Sequence, residues 1–534
     1  MSTTTGDTKP EVFVRKASGL VRTAGVWDVL AYNINFTSIG LLLVFLFLFG
    51  PAFYPGINMA WSAVICVVLL IPLSLVYGYL ASAMPRSGGD YVYVSRVLGP
   101  AWGMMSNFNM TLWWFFYGGV PSAFLARYGL APFFRTMGIF TGNLGLFDIG
   151  NWFASPVGTF IFGVILIALL VYIFSLGMRI FFRIQNILII FATISTILSA
   201  VVFIGKSQVD VMAAFNHYVG PLVSNPDLAR AVMDAAAKGG FGVAPFDLRN
   251  TLLAMTWIYL NLSFMSSSAY IGSEVKDARR LQFWSMPATV LIVGVGVLIT
   301  VLLVGKAVGY DFLGALGTVT PDTVGMSSTP LYTELASYVS GNLLIAFLIT
   351  FGFIFWSYAW LPGQILNGSR NILAYSIDGL IPSWFRSVHP RLHTPVPALA
   401  TMGFMSIVAL AVYVFTPYFA TLVGIFGFIL SFIMVSLAAI LLPYRLPDVF
   451  ETSTVNQRIG NIPIISIIGV ICLITCIFFL WVFKTDAMAG VTWPMVGFNV
   501  AVFLSGLVVY YVAKFIQGRR GVDVSLSYKE LPSE

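Results

Sequence analysis

Two polar stretches stand inside long apolar runs: Asn261-Leu-Ser-Phe-Met-Ser-Ser-Ser268 and Asn33-Ile-Asn-Phe-Thr-Ser-Ile-Gly40. They share a skeleton, Asn33-Ile34-Asn35-Phe36 beside Asn261-Leu262-Ser263-Phe264. Neither carries a general base or a metal-ligand cluster, so acid–base and nucleophilic chemistry fits them poorly. What such residues can do is let a helix open. A break inside a bilayer frees backbone N–H and C=O groups, tolerable only where they line a cavity. Freed N–H groups at a half-helix N-terminus receive an anion such as a carboxylate, and freed carbonyls hold an ammonium or Na⁺. A zwitterion fits that arrangement without any charged side chain. The competing reading is structural: serines that bond to the i−4 carbonyl or let helices pack closely.

The elements that must position these stretches are membrane-spanning helices. Of 534 residues, 58% are hydrophobic and 9% charged, against about 25% charged in a soluble domain. A spanning helix needs about 20 mostly apolar residues. Such runs occur near 28–50, 57–83, 100–127, 156–176, 182–205, 251–273, 283–306, 341–366, 396–415, 418–442, 463–483 and 490–513. This even number of segments puts both termini on one side. With that side cytoplasmic, the inner segments hold 20 of the 28 Lys and Arg, as the positive-inside rule requires. The net charge of +7 is thereby explained by topology. These charges are scattered over short loops rather than gathered in a patch, which argues against a nucleic-acid partner. The polar first 26 residues read as a cytoplasmic tail, since they lack the apolar core of a signal peptide.

In this frame the first segment runs outward from Asp28 and the sixth runs inward from Thr251. Roughly 15–20 Å of helix precedes the polar stretch of the sixth, which places it near the bilayer midplane. Two weak points, matched in depth and opposite in direction, are the pattern of an inverted-repeat transporter.

No segment has an Asp, Glu, Lys, Arg or His in its core; Asp28 and Glu274 lie at the expected cytoplasmic edge. This argues against a membrane enzyme, and against a buried carboxylate that neutralises a cationic substrate. Cys66, Cys472 and Cys476 lie in apolar runs and read as packing residues. Within 207–250, Asn225-Pro226-Asp227 before LARAVMDAAAK reads as one short helix with Asn225 as N-cap. The stretch 308–338, rich in Gly, Thr and Ser, reads as a connector or an outer cover.

Three inner loops carry a family resemblance: AMPRSGGDYVYVSRVLGP (83–100), SEVKDARR (273–280) and SRNILAYSIDGLIPSWFRSVHPRLHTPVPAL (369–399). RIQNILII (183–190) is a weaker match. Over roughly residues 20–515 the chain resembles the amino acid permeases of the amino acid–polyamine–organocation superfamily. The resemblance implies an all-α membrane protein of twelve transmembrane helices. Five-plus-five helices form an inverted repeat with discontinuous helices 1 and 6, and two helices are added at the C-terminus. The division is then a tail (1–26), a first repeat (27–206), an outer loop (207–250), a second repeat (251–442), helices 11 and 12 (443–514) and a cytoplasmic C-terminal tail (515–534).

The same resemblance implies the site. The family breaks its first helix at a glycine motif that receives the substrate carboxylate; it falls here within Asn35, Phe36, Thr37, Ser38, Ile39 and Gly40. The break in the sixth helix falls on Ser263, Phe264, Met265, Ser266 and Ser267, whose carbonyls face the amine, with Phe264 or Met265 beside the side chain. Trp113, Trp114 and Tyr117 are candidates for a substrate wall or gate. Thr350 and Ser357, seven residues apart on one helix face, resemble hydroxyls that help to hold Na⁺. A lysine that some proton-coupled relatives carry in the fifth helix is matched by Ala192, which weakens that form of proton coupling. The expected function is secondary active transport of neutral amino acids across the plasma membrane by alternating access. The expected partners are the amino acid and the lipid bilayer. No cofactor is expected, and H⁺, Na⁺ and substrate exchange all stay open as coupling modes. A polyamine or cationic amino acid exchanger, and an amino acid sensor that does not transport, are the alternatives.

Overall fold

The computed structural model describes residues 20–416 and 422–528. Most of the N-terminal tail, the start of the tenth segment (418–421) and residues 529–534 lie outside the described residues. Ten helical stretches among the described residues are long and apolar enough to cross a bilayer. They match ten of the twelve expected segments. The other two, the third and the sixth, are divided into shorter pieces.

The reasons are local. The third segment is an α-helix over Pro100–Tyr117, then Val120–Phe124, then a π-helical turn over Leu125–Leu130. Gly118 and Gly119 separate the first two, and Pro121 has no N–H to continue the ladder. These glycines are also sterically required: a Cβ on Gly119 would lie 2.2 Å from the Ser406 carbonyl oxygen. The sixth segment is α-helical over Leu248–Leu253 and Met255–Leu262, then tightens into a 3₁₀ helix over Ser263–Tyr270.

The first segment, Val26–Phe53, is long enough to span but is interrupted as well. Val26–Thr37 and Ile39–Phe53 meet at Ser38, which sits at φ 40°, a left-handed conformation that costs a residue with a side chain. The Ser38 hydroxyl donates to the Trp356 carbonyl at 2.7 Å, which ties the break to the eighth segment, Leu343–Ile377.

Several expectations need correction. The eighth segment runs on to Ile377, well past 366, because Asn367, Arg370 and Asn371 are buried against neighbours and not exposed in a loop. In 207–250 the expected helix is present as Leu228–Lys238, but a second, Gln208–Val219, precedes it. The expected helix begins after Asp227, and Asn225 forms a turn in which its Oδ1 accepts from Asp227 N at 3.1 Å, so Asn225 is not the N-cap. The stretch 308–338 contains two helices, Tyr310–Thr318 and Tyr332–Ser340, not a bare connector. A short hairpin, Arg458–Ile459 with Ile462–Pro463, is a small exception to the all-helical reading.

Outward faces of the long helices are apolar. On the fifth, Met178–Val201, the exposed side chains Ile187, Ile190, Ile194 and Ile197 recur every three or four residues. A continuous stripe of that kind is unstable in water and suits hydrocarbon.

Candidate functional site

The two breaks meet. Asn33, in the first segment, accepts from Ser268 N on its Oδ1 at 2.9 Å and donates from Nδ2 to Ser268 Oγ at 3.0 Å. Ser268 Oγ donates in turn to Gln282 Oε1 at 2.6 Å, and Gln282 Nε2 donates to the Ser268 carbonyl at 2.7 Å. The 3₁₀ stretch, whose N–H and C=O groups have left the α ladder, is thus held by side chains from two other segments.

Around the breaks lies an aromatic cluster centred on Phe264. Its ring centroid is 5.2 Å from Phe36, 5.6 Å from Trp114, 5.3 Å from Trp360, 5.5 Å from Phe428 and 6.3 Å from Tyr117. All six side chains are buried and none is charged. Five segments contribute: the first, third, sixth, eighth and tenth. Phe36, Trp114, Tyr117 and Phe264 were expected from the sequence. Trp360 and Phe428 were not, because a lone aromatic in an apolar run carries no signal about what it faces.

The remaining nominees lie close in the chain but differ in what they touch. Asn35, Thr37 and Ile39 are buried at the break, and Thr37 Oγ1 donates to the Ile34 carbonyl. Gly40 abuts the eighth segment so closely that a Cβ would fall 2.6 Å from Trp356 Cβ. Met265 and Ser266 are buried, and Ser267 Oγ donates to the Phe264 carbonyl at 2.9 Å. Ser263 Oγ and Asn261 Oδ1 are buried without a hydrogen-bond partner.

Trp113 meets the cluster at its edge, its ring centroid 6.5 Å from that of Tyr117. It faces the tenth and twelfth segments, where Gly424 and Gly427 make room for its indole and Phe498 meets it edge-on. Thr350 and Ser357 are not brought together. Thr350 donates to the Ala346 carbonyl of its own helix, and Ser357 lies against Gly129 of the third segment. Two helical turns, about 10 Å, separate them, too far for one ion. At Ala192 the structure places a contact: Trp356 Nε1 donates to its carbonyl at 2.7 Å.

A polar face on the eighth segment escaped the sequence reading. Gln364, Asn367 and Asn371 recur at helical spacing below Trp360, all fully buried. Gln364 has neither amide atom hydrogen-bonded, and Asn367 Nδ2 and Asn371 Oδ1 lack partners too. This face leads to a closed end. Tyr32 donates to Asn367 Oδ1 at 2.9 Å, and Arg370 pairs with Glu274 at 2.6 Å. Both ions are buried, so Glu274, expected at the cytoplasmic edge, lies in the interior together with Arg370. The strand-like piece at Thr23 and Ala24 seals the same end, both N–H groups donating to the Glu274 carbonyl at 2.9 Å.

The PRSGGDY loop explains its own glycines. Gly88 and Gly89 hold positive φ, and a Cβ on Gly89 would lie 3.0 Å from the Tyr270 ring. Gly88 N donates to the Tyr270 carbonyl at 3.1 Å, docking this loop on the end of the 3₁₀ stretch.

A family model described as "Amino acid permease" matches residues 27–512. The chain belongs to that family. The branched-chain amino acid permease BcaP of Bacillus subtilis (strain 168) is 23% identical over 501 residues, covering 90% of this chain and 92% of that relative. The human Asc-type amino acid transporter 1 is 24% identical over 450 residues, covering 83% and 72%. The vacuolar cationic amino acid transporter 4 of Arabidopsis thaliana is 25% identical over 221 residues; this chain spans only 34% of that relative's length. Among solved structures, MhsT in complex with L-phenylalanine superposes with a TM-score of 0.52 at 15% identity, covering 87% of this chain and 99% of that one. That likeness speaks for the fold. The fold and family are those of multi-pass membrane transporters, and this permease carries the two helix interruptions where its polar stretches lie.

Proposed function

We propose that the protein is a secondary active transporter that moves neutral amino acids across the plasma membrane by alternating access, with both termini in the cytoplasm. One observation carries this reading. Two helix breaks, at Ser38 and from Ser263, meet beside an aromatic cluster that contains no charged side chain. The first-turn N–H groups after Ser38 have no acceptor within their own helix and suit a carboxylate. Carbonyls of Ser263 to Ser267 suit the ammonium, and Phe36, Trp114, Phe264 and Trp360 suit an apolar side chain. A cationic side chain would be left without a partner in such a pocket, at a cost of several kcal/mol.

On this reading the chain has twelve spanning helices, the first five and the next five forming inverted repeats, with helices 11 and 12 outside them. The repeats are residues 27–206 and 251–442. The name of the Bacillus relative, a branched-chain permease, points toward neutral substrates. A second reading, transport of cationic amino acids, is favoured by the name of the plant relative.

Uptake of labelled leucine into proteoliposomes, competed by a panel of amino acids, tests the choice. Competition by leucine, valine, alanine or phenylalanine is expected. Competition by arginine or putrescine alone would overturn the neutral assignment.

A further inference from the structure

Asp90 opens the short helix Asp90–Val97 and is fully buried. Among the described residues it pairs with no cation. Arg96, in the same helix, is taken by Asp378 at 2.8 Å, and Arg370, whose carbonyl lies near Gly88, is taken by Glu274. Asp90 Oδ1 accepts from Asn107 Nδ2 at 2.9 Å, Oδ2 has no hydrogen-bond partner, and the Tyr270 hydroxyl is a further polar neighbour of the carboxyl. The titratable groups facing it from packed elements are phenols: Tyr77 of the second segment, Tyr270 of the sixth and Tyr375 of the eighth. Burial pushes the Asp90 carboxyl up to about 7, against the opposing pull of Tyr270 and Asn107.

Two connections give this carboxyl a reason to matter. The loop that holds it is docked on the sixth segment, through Gly88 N to the Tyr270 carbonyl and through pairing of Ser87 with Ile271. Its partner Asn107 accepts from Tyr375, Tyr375 bonds Thr111 at 2.7 Å, and Asn371 donates to Thr111 Oγ1 at 2.9 Å. Asn371 stands on the polar face that climbs through Asn367 and Gln364 toward the aromatic cluster.

We propose that Asp90 is the coupling-proton site of the transporter. This rests on the transport reading above. In the closed arrangement the carboxyl is neutral, its proton having been delivered by outer-side water that enters along the polar face of the eighth segment when the transporter is open to that side. When the sixth segment swings away from Gly88 and Gly89, water reaches the carboxyl. The O–H bond then breaks to cytoplasmic water, leaving a solvated carboxylate. One proton enters with each amino acid.

Proteoliposomes carrying the full chain test this with labelled leucine, or the best competitor from the panel, under an inward proton gradient without Na⁺. Wild type should accumulate substrate, and a pH-indicating dye should report substrate-dependent proton entry. Asp90→Asn should lose accumulation by tenfold or more, while counterflow, which needs no net proton movement, stays within a few fold. Asp90→Glu should keep proton entry. Accumulation by Asp90→Asn equal to wild type overturns the inference, as does wild-type accumulation driven by Na⁺ alone. Should Asp90→Asn fail to assemble, the dye signal of wild type still decides: no proton entry with substrate overturns it. Absence of counterflow in wild type for every amino acid tried defeats the transport reading itself, and this inference with it.

Discussion

Asn33 and Ser268, 235 residues apart in the chain, are joined by two hydrogen bonds, one to the backbone N–H and one to the hydroxyl of Ser268. Each residue terminates one of the two matched polar stretches. The pair therefore makes one unit of two interrupted segments, and it gives the buried Ser268 N–H a side-chain acceptor from a distant segment.

Replacing Asn33 by Leu removes both bonds and a third, from Nδ2 to Ser285 Oγ at 3.3 Å, so Ser268 and Ser285 lose buried partners while Gln282 keeps its bonds to Ser268. The expected cost is about 1–3 kcal/mol for the orphaned buried groups, read as a lower thermal midpoint in detergent. Uptake should fall more steeply than stability, because the break itself is misplaced.

Ser266→Trp or Thr37→Trp should abolish amino acid binding while the protein still elutes as a folded species. Phe264→Ala should shift selectivity toward larger aromatic side chains in the competition assay. Unchanged affinity in both Trp variants would move the site elsewhere.

Gly363 lies against Phe36 so closely that a Cβ would sit 2.6 Å from the ring, whereas Gly497 has nothing within 4 Å. Gly363→Ala should displace Phe36 and weaken binding. Gly497→Ala, offered as the control, should leave binding and thermal midpoint as they are.

Glu274→Gln leaves the Arg370 guanidinium buried and unpaired, at a cost of about 3–5 kcal/mol. Glu274→Gln with Arg370→Met should be less destabilised than Glu274→Gln alone. Thermal unfolding of the three proteins side by side gives the comparison.

Asp90 gives stability a pH dependence of defined sign. Its folded value, about 7, lies above that of an exposed carboxyl, about 3.9, so the folded state holds the extra proton. The stabilisation is full below about 4 and is lost as pH rises through about 7. Asp90→Asn, which cannot ionise, should show a flatter midpoint-against-pH profile over that window than wild type.

Much of this was legible in the chain. Apolar run length placed the spanning segments, because a helix needs about 20 apolar residues to cross a bilayer, and the paired stretches at Asn33 and Asn261 flagged the interruptions because polar residues are costly in hydrocarbon. Sequence alone also marked Phe36, Trp114, Tyr117 and Phe264 as candidates. It could not say that Trp114 turns toward Phe264 while Trp113 turns toward Gly427, since adjacent helix residues point about 100° apart and only the neighbours decide which direction is inward. Nor could it find Trp360, Phe428 or the polar face at Gln364. For Arg370 and Glu274, hydropathy predicts water; the tertiary structure buries them, because each supplies the opposite charge that makes burial of the other tolerable. Composition and period determined that helices cross and where they weaken. Packing between distant segments decided which atoms meet, because contact energies act across space and leave no period in the chain.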